Sequence, residues 1–373
     1  MNIYEKFGLR KIINASGKMT VLGASAVHSE VAQALGAAAM DYVDIHELMI
    51  VTGKKIAQVT GAENGCPTAG AAPGIAIATA AVIVGENLAL VERVPNTDGL
   101  KNEIILQKGH SVHFGAAIVQ MITLGGGKVI EVGQANHVEK DHIIGAINDK
   151  TAALFYVKSH HAVQKGMQSL ETMIAIAKEK NIPIVVDAAA EEDFRYYIKS
   201  GADIVIYSGG KALEGPTSGL ICGRDDLIKA CHQQYKGIGR AMKVGKEAMI
   251  GLMTALDRYQ SKIDDSRGQR NRMNWLINEL ADVPGIKGEI SQDEAGRAIY
   301  RGQLTIDEKI AGINAATLAK KLEAGNPAIY TRNYYANIGM IHIDPRPLLL
   351  DQEKVIASRI RQIMSECNRK EEK

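Results

Sequence analysis

The 373-residue sequence predicts an α/β protein, with a large domain on a mostly parallel sheet and a smaller α+β domain behind it. Three observations carry this expectation. Between about residues 60 and 235, short β-rich runs alternate with helical patterns. From about 245 that rhythm stops and a long helical pattern leads into alternating segments. The chain is also too long for one ordinary compact core.

The first elements are EIILQ (103–107), KVIEV (128–132), AALFYV (152–157), IPIVVDA (182–188) and DIVIYS (203–208), read as strands. Helical patterns such as SLETMIAIAKEK (169–180) separate them, which calls for parallel pairing under helices on both faces. GLICG (219–223) follows too soon for a helical crossover and is expected to pair antiparallel. Beyond it come a helix in GKEAMIGLMTALDRYQSKIDD, alternating segments near 285–345, and a last helix in EKVIASRIRQIMSEC. These changes place the domains at 1–245 and 246–373.

Composition narrows the function. The net charge is +2 and the basic residues are scattered, so nucleic acid is not favoured as a partner. No run approaches the roughly 18 apolar residues of a membrane span, and MNIYEKFGLRK lacks the apolar core of a signal peptide. A cytoplasmic protein without membrane contact is expected. The four cysteines, Cys66, Cys222, Cys231 and Cys367, form no CxxC pair, so neither a disulfide framework nor a metal site is expected.

Lys211 stands just past the end of DIVIYS, where open α/β sheets bind ligands and a lysine can lose solvation and gain nucleophilicity. It can also be read as a surface-loop lysine. Asp187 ends the preceding strand, 24 residues upstream, so the two side chains can emerge at one sheet edge. Such a pair suits pyridoxal phosphate, whose carbonyl takes a lysine amine and whose pyridine nitrogen takes a carboxylate. A strand-ending aspartate otherwise caps a helix or binds a metal. In CPTAGAAPGIAIATAAV (66–82), the small residues Ala69, Gly70 and Ala71 lead into a helix whose free N–H groups suit a phosphate. Tight packing of a small-residue helix is the alternative.

INASGKMTVLGAS (13–25), GAENGCPTAGAA (61–72), DAAAEED (187–193) and DIVIYSGGKALEGPTSGLICG (203–223) together resemble the bacterial selenocysteine synthase family and its shorter relatives, over about residues 8 to 345. Within that group the sequence looks most like the ammonia-lyases of phosphorylated amino sugar acids. The resemblance implies the aspartate-aminotransferase fold, fold type I, with a seven-stranded sheet in the large domain. It implies that Lys211 is the Schiff-base lysine, Asp187 the partner of the pyridine nitrogen, Ala69 to Ala71 the phosphate cradle and Ser208 a further phosphate donor. GHSVHFG (109–115) is similar to the GHLTHG segment of serine hydroxymethyltransferases, which implies that His110 stacks on the cofactor with His113 nearby. Thr217 sits where this fold type lends a residue to a partner subunit's phosphate, implying a homodimer or larger assembly. Selenocysteine synthases carry an additional N-terminal segment for tRNA, whereas here the match begins almost at residue 1. A seryl-tRNA transferase is therefore the first alternative, and a non-catalytic cofactor-binding protein the second.

For the substrate, Arg332 lies in the smaller domain, where this fold type often places an arginine for a carboxylate. Arg240, Lys243 and Lys246, three apart on an expected helix, make a basic stripe for a substrate phosphate or else a solvated face. His160 and His161 in SHHAV are candidates for the acid that assists hydroxide departure, or loop residues. The expected reaction is elimination from a phosphorylated amino sugar acid, giving ammonia and a 2-keto-3-deoxy acid phosphate.

Overall fold

A computed structural model describes residues 2–159, 162–261, 264–293 and 297–371. In chain order the strands are β1 (Ile12–Ala15), β2 (Asn64–Thr68), β3 (Glu103–Gln107), β4 (Lys128–Val132), β5 (Thr151–Val157), β6 (Ile184–Asp187), β7 (Ile204–Ser208), β8 (Gly219–Gly223), β9 (Ile286–Gln292), β10 (Tyr300–Ile306), β11 (Ala328–Thr331) and β12 (Met340–Ile343).

Seven of them form one sheet in the order β2-β8-β7-β6-β5-β3-β4. Pairing from β7 through β4 is parallel. β8 runs antiparallel to both neighbours, as its short connection requires. The seventh strand, β2, reads NGCPT and carries no β-branched run. Pro67 has no N–H for a ladder, and β2 tolerates it at the sheet edge.

The sheet is buried on both faces because successive side chains go to opposite sides. Leu154, Tyr156, Val186, Val205 and Tyr207 join one core, with Leu170 and Met173 of the helix Leu170–Lys180 and Leu252 and Leu256 of the helix Lys246–Gln260. Phe155, Val157, Val185, Ile204 and Ile206 join the other, with Ile75, Ile77 and Ala81 of the helix Ala71–Val84. That helix is apolar nearly all round and almost wholly buried, as a helix inside an α/β layer must be. By the same alternation Asp187 and Ser208 point to its side of the sheet.

By contacts the chain divides into two units, 27–262 and 1–26 together with 263–373. The helix Lys246–Gln260 packs against Ser29–Ala39 and Ile45–Thr60 and so belongs to the large unit. β1 pairs in parallel with β11 and so belongs to the small one. This boundary differs from the cut at 245/246 by that helix and the N-terminal arm, because burial partners and not chain order decide where an element sits. The small unit also holds an antiparallel sheet, β12-β10-β9, over a core that includes Met273, Leu304, Leu318, Ile341, Ile356 and Ile360.

Candidate active site

The carboxyl ends of neighbouring strands set the geometry of the large unit. Val157 of β5 lies opposite Asp187 of β6, and Asp187 opposite Ile206 of β7. Ser208 and Thr68 both register with Gly219, so β7, β8 and β2 meet at one edge. Thr68 Oγ1 donates to the Gly70 carbonyl at 2.8 Å and fixes the chain's entry into the helix Ala71–Val84. A Cβ on Gly219 would lie 2.4 Å from the Gly70 carbonyl carbon, so only glycine lets these two backbones meet.

Gly70 is the N-cap of that helix and supplies no side-chain cap. The first helical N–H groups have no intrahelical partner, and Pro73 has none to offer. The N–H groups of Ala71 and Ala72 therefore form a ready anion seat beside Ser208 and Gly219.

Lys211 is half-buried in a loop closed on itself. Gly209 N–H donates to Ser218 O at 2.8 Å, Gly215 N–H to Gly209 O at 2.9 Å and Glu214 N–H to Lys211 O at 3.1 Å. Closing the loop puts the non-glycine Glu214 at φ 56°, at a cost of about 1 kcal/mol or more. Asp187, 6% exposed, accepts the Ala189 N–H through Oδ1 at 3.0 Å. Burial pushes its pKa up to about 6, while that hydrogen bond and the Lys211 charge pull the other way. A buried carboxylate with Oδ2 taking no hydrogen bond from a described residue is poised to meet a cation.

His110 follows β3 and is fully buried. Its Nδ1 accepts the Val157 N–H at 3.2 Å, so the neutral ring carries its proton on Nε2. Nε2 finds no hydrogen-bond partner among the described residues, although the Val163 backbone is near enough to favour charge. Burial lowers its pKa to about 4. The ring meets Tyr156 edge-on at 4.7 Å. The His110 side chain is enclosed, whereas His113 is exposed. Thr217 is also exposed. His160 and His161 lie outside the described residues.

The expected basic stripe is not a helical face. Arg240 lies in a 3-10 turn, Lys243 is extended after it and Lys246 opens the next helix. Lys246 donates to the carbonyls of Ala39 and Asp41 and stands 5.9 Å from the Tyr42 ring centre, tying down the end of the helix Ser29–Ala39. Gly245 at the N-cap interrupts the run.

Arg332, in the small unit, bridges to His342 through its backbone and holds its guanidinium 4.6 Å from the Tyr334 ring centre. Near it lies a set of side chains that no local motif announces: Asp293, Arg297, Arg301, Asp344 and Arg346, brought together by strand pairing across some 50 residues.

The residues of the large unit fit pyridoxal phosphate: an uncapped helix terminus for its phosphate, a buried carboxylate for its ring nitrogen and a lysine in electrostatic reach of that carboxylate. The family model of L-seryl-tRNA selenium transferase matches residues 12–279. The D-glucosaminate-6-phosphate ammonia lyase of Salmonella typhimurium is 44% identical over 97% of this chain and 98% of its own. The 5'-C-glycyluridine monooxygenase-decarboxylase of a Streptomyces species is 43% identical over 97% and 92%. A solved structure of D-glucosaminate-6-phosphate ammonia-lyase superposes with a TM-score of 0.94 at 43% identity, covering 99% of both chains. In fold alone, the aspartate aminotransferase of Thermotoga maritima matches with a TM-score of 0.53 at 15% identity, over 97% of this chain and 94% of its own. The large unit therefore has the fold type I architecture, and fold and family together imply pyridoxal phosphate.

Proposed function

The chain belongs to the L-seryl-tRNA selenium transferase family, and from that premise we propose that it is a pyridoxal-phosphate-dependent lyase that eliminates water from D-glucosaminate 6-phosphate and, with one water taken back on hydrolysis, releases ammonia. The observation that carries the cofactor chemistry is Lys211 beside the buried Asp187 at the carboxyl ends of adjacent strands. The substrate comes from the relative that matches end to end in sequence and in fold. The product is 2-keto-3-deoxy-6-phosphogluconate.

When bound, pyridoxal phosphate draws electrons from the substrate's α-carbon. The Ala71 and Ala72 N–H groups and the Ser208 hydroxyl hold its phosphate, with Ala69 and Gly70 shaping the approach. Asp187 holds a positive charge at the ring nitrogen, and its low-dielectric surroundings strengthen that contact. His110, held in place by its bond from the Val157 N–H, would stack on the ring, with His113 nearby. Lys211 would hold the cofactor, and its Nζ would be the base that takes the proton from the substrate's α-carbon. Loss of that proton and of the C3 hydroxide yields an enamine, which hydrolyses to the keto acid and ammonia. Arg332 binds one anionic end of the substrate. Thr217 serves the phosphate of a second subunit in a homodimer or larger assembly.

A second reading has an observation in its favour, because the Streptomyces enzyme is nearly as similar over nearly the same span. Oxygen separates the two. A lyase releases ammonia from D-glucosaminate 6-phosphate at the same rate with and without air, whereas a monooxygenase-decarboxylase needs oxygen and releases carbon dioxide. Turnover of the loaded enzyme on each substrate, in air and under argon, decides between them.

A further inference from the structure

β2 is the end strand of the large sheet, and it leads directly into the cradle residues Ala69, Gly70 and Ala71. On an end strand alternate residues turn their backbone groups away from the sheet, where partners of another kind must meet them. In β2 these residues are Gly65 and Pro67, and side chains take what they offer. The Gly65 N–H donates to Asn64 Oδ1 at 2.8 Å, and the Gly65 carbonyl meets His232 Nε2 at 2.9 Å. Pro67 has no N–H. Its carbonyl accepts the Tyr235 hydroxyl at 2.7 Å, with the Cys66 thiol a weaker second donor at 3.7 Å. Burial lowers the His232 pKa, so the ring is neutral at pH 7 and donates its Nε2 proton. Burial raises that of Tyr235, so its hydroxyl remains a donor.

These side chains come from one short segment. His232 lies in the last turn of the helix Asp225–Gln233, and Tyr235 in the 3-10 turn Gln234–Lys236. Between them the fully buried Gln234 donates through Nε2 to the Gly85 carbonyl at 3.1 Å and to the Ala230 carbonyl at 3.0 Å. Gly85 is the C-cap of the helix Ala71–Val84. The segment thus grips both the strand that enters that helix and the helix's far end. The Tyr235 ring packs on the core that holds Cys66, Ile75 and Ile77, so its hydroxyl reaches Pro67 from a fixed position. Thr68, next in the chain, fixes the Gly70 carbonyl, and Gly70 opens the helix whose first N–H groups are the proposed anion seat.

We infer that Tyr235 is a positioning residue for the cofactor's phosphate: with His232 and Gln234 behind it, it holds the cradle in its binding shape before the phosphate arrives. A seat already ordered binds without rearranging its own backbone. Released at Pro67, the cradle must be ordered on binding, and affinity falls by that cost. The inference rests on the reading that pyridoxal phosphate occupies this seat.

Tyr235→Phe deletes the donor and keeps the ring with its packing. Pyridoxal phosphate titrated into the cofactor-free variant should bind about three- to ten-fold more weakly than to the parent, as expected for one hydrogen bond. The phosphorus NMR resonance of the bound cofactor should also move from its position in the parent. A general loss of stability weakens binding without moving that resonance, so the two measurements together identify positioning. If Tyr235→Phe does not fold, His232→Leu, which frees the Gly65 carbonyl on the same edge, takes its place with the same two measurements. Affinity within about two-fold of the parent, or an unmoved resonance, would overturn the inference. The cofactor reading fails separately: the parent then binds no pyridoxal phosphate, or binding is as tight after Gly70→Asp.

Discussion

Asp187 and Lys211 bear most of the proposed chemistry, and their surroundings make signed predictions. The Asp187 pKa is raised in the folded protein, so its ionisation costs stability as pH rises from about 4 through about 6. In the protein stripped of cofactor, Asp187→Asn should therefore raise stability by about 2 kcal/mol at pH 8 and by nothing measurable near pH 4. In the loaded enzyme the same change should cut turnover at least ten-fold, since an amide cannot hold a charged ring nitrogen. Thermal melts across pH, with and without cofactor, check the first part; a stabilising effect equal at pH 4 and pH 8 would contradict it. His110 has the opposite sign. Its pKa is depressed to about 4, so it contributes stability above about pH 6.5 that is lost as pH falls through 4. His110→Asn should flatten the acid limb of the stability profile in that window. At this scale the sequence was informative on position, with Asp187 ending one strand and Lys211 following the end of the next. It was silent on the burial of His110, because enclosure is set by Tyr156 and Val157, 46 and 47 residues away.

At the scale of elements, the helix Ala71–Val84 is the proposed anion seat, and its uncapped N-terminus can be capped artificially. Gly70 has φ 168°, an extended conformation open to any residue, and a Cβ there would meet only Pro73 at an ordinary 3.5 Å. Gly70→Asp should cap the helix and stabilise the cofactor-free protein by about 1 kcal/mol. The same carboxylate would occupy the phosphate seat, so affinity for pyridoxal phosphate should fall more than ten-fold. Equilibrium dialysis beside thermal melts reads both effects; unchanged cofactor affinity would place the phosphate elsewhere. In the small unit, Asp344→Asn should destabilise by about 3 to 5 kcal/mol, since it removes the buried carboxylate that Arg301 and Arg346 share. Urea unfolding measures it. Strands with continuous apolar runs were legible from sequence, as was the antiparallel β8. β2 was not, because NGCPT becomes a strand only through its partner β8. The basic stripe misled for a related reason: spacing of three suggests a helix, but the Gly245 N-cap starts the helix too late for Arg240 and Lys243 to join it.

Across the whole molecule, the large unit carries an uncapped helix terminus and the small unit a buried cluster of arginines and aspartates. The large unit was readable because α/β layers repeat a simple rhythm and put ligands at strand ends. The small unit's cluster was not, because its members lie in three separate segments, 293–301, 332 and 344–346, that only sheet pairing unites. The central claim is that Lys211 and its surroundings run a lyase on a phosphorylated amino sugar acid. It is tested most directly by incubating the loaded enzyme with D-glucosaminate 6-phosphate and quantifying ammonia and 2-keto-3-deoxy-6-phosphogluconate, in parallel with Lys211→Ala. The account predicts equal amounts of both products from the parent, with or without oxygen, and none from the variant. Turnover that persists in Lys211→Ala, or a parent enzyme that releases no ammonia and instead consumes oxygen with 5'-C-glycyluridine, would contradict it.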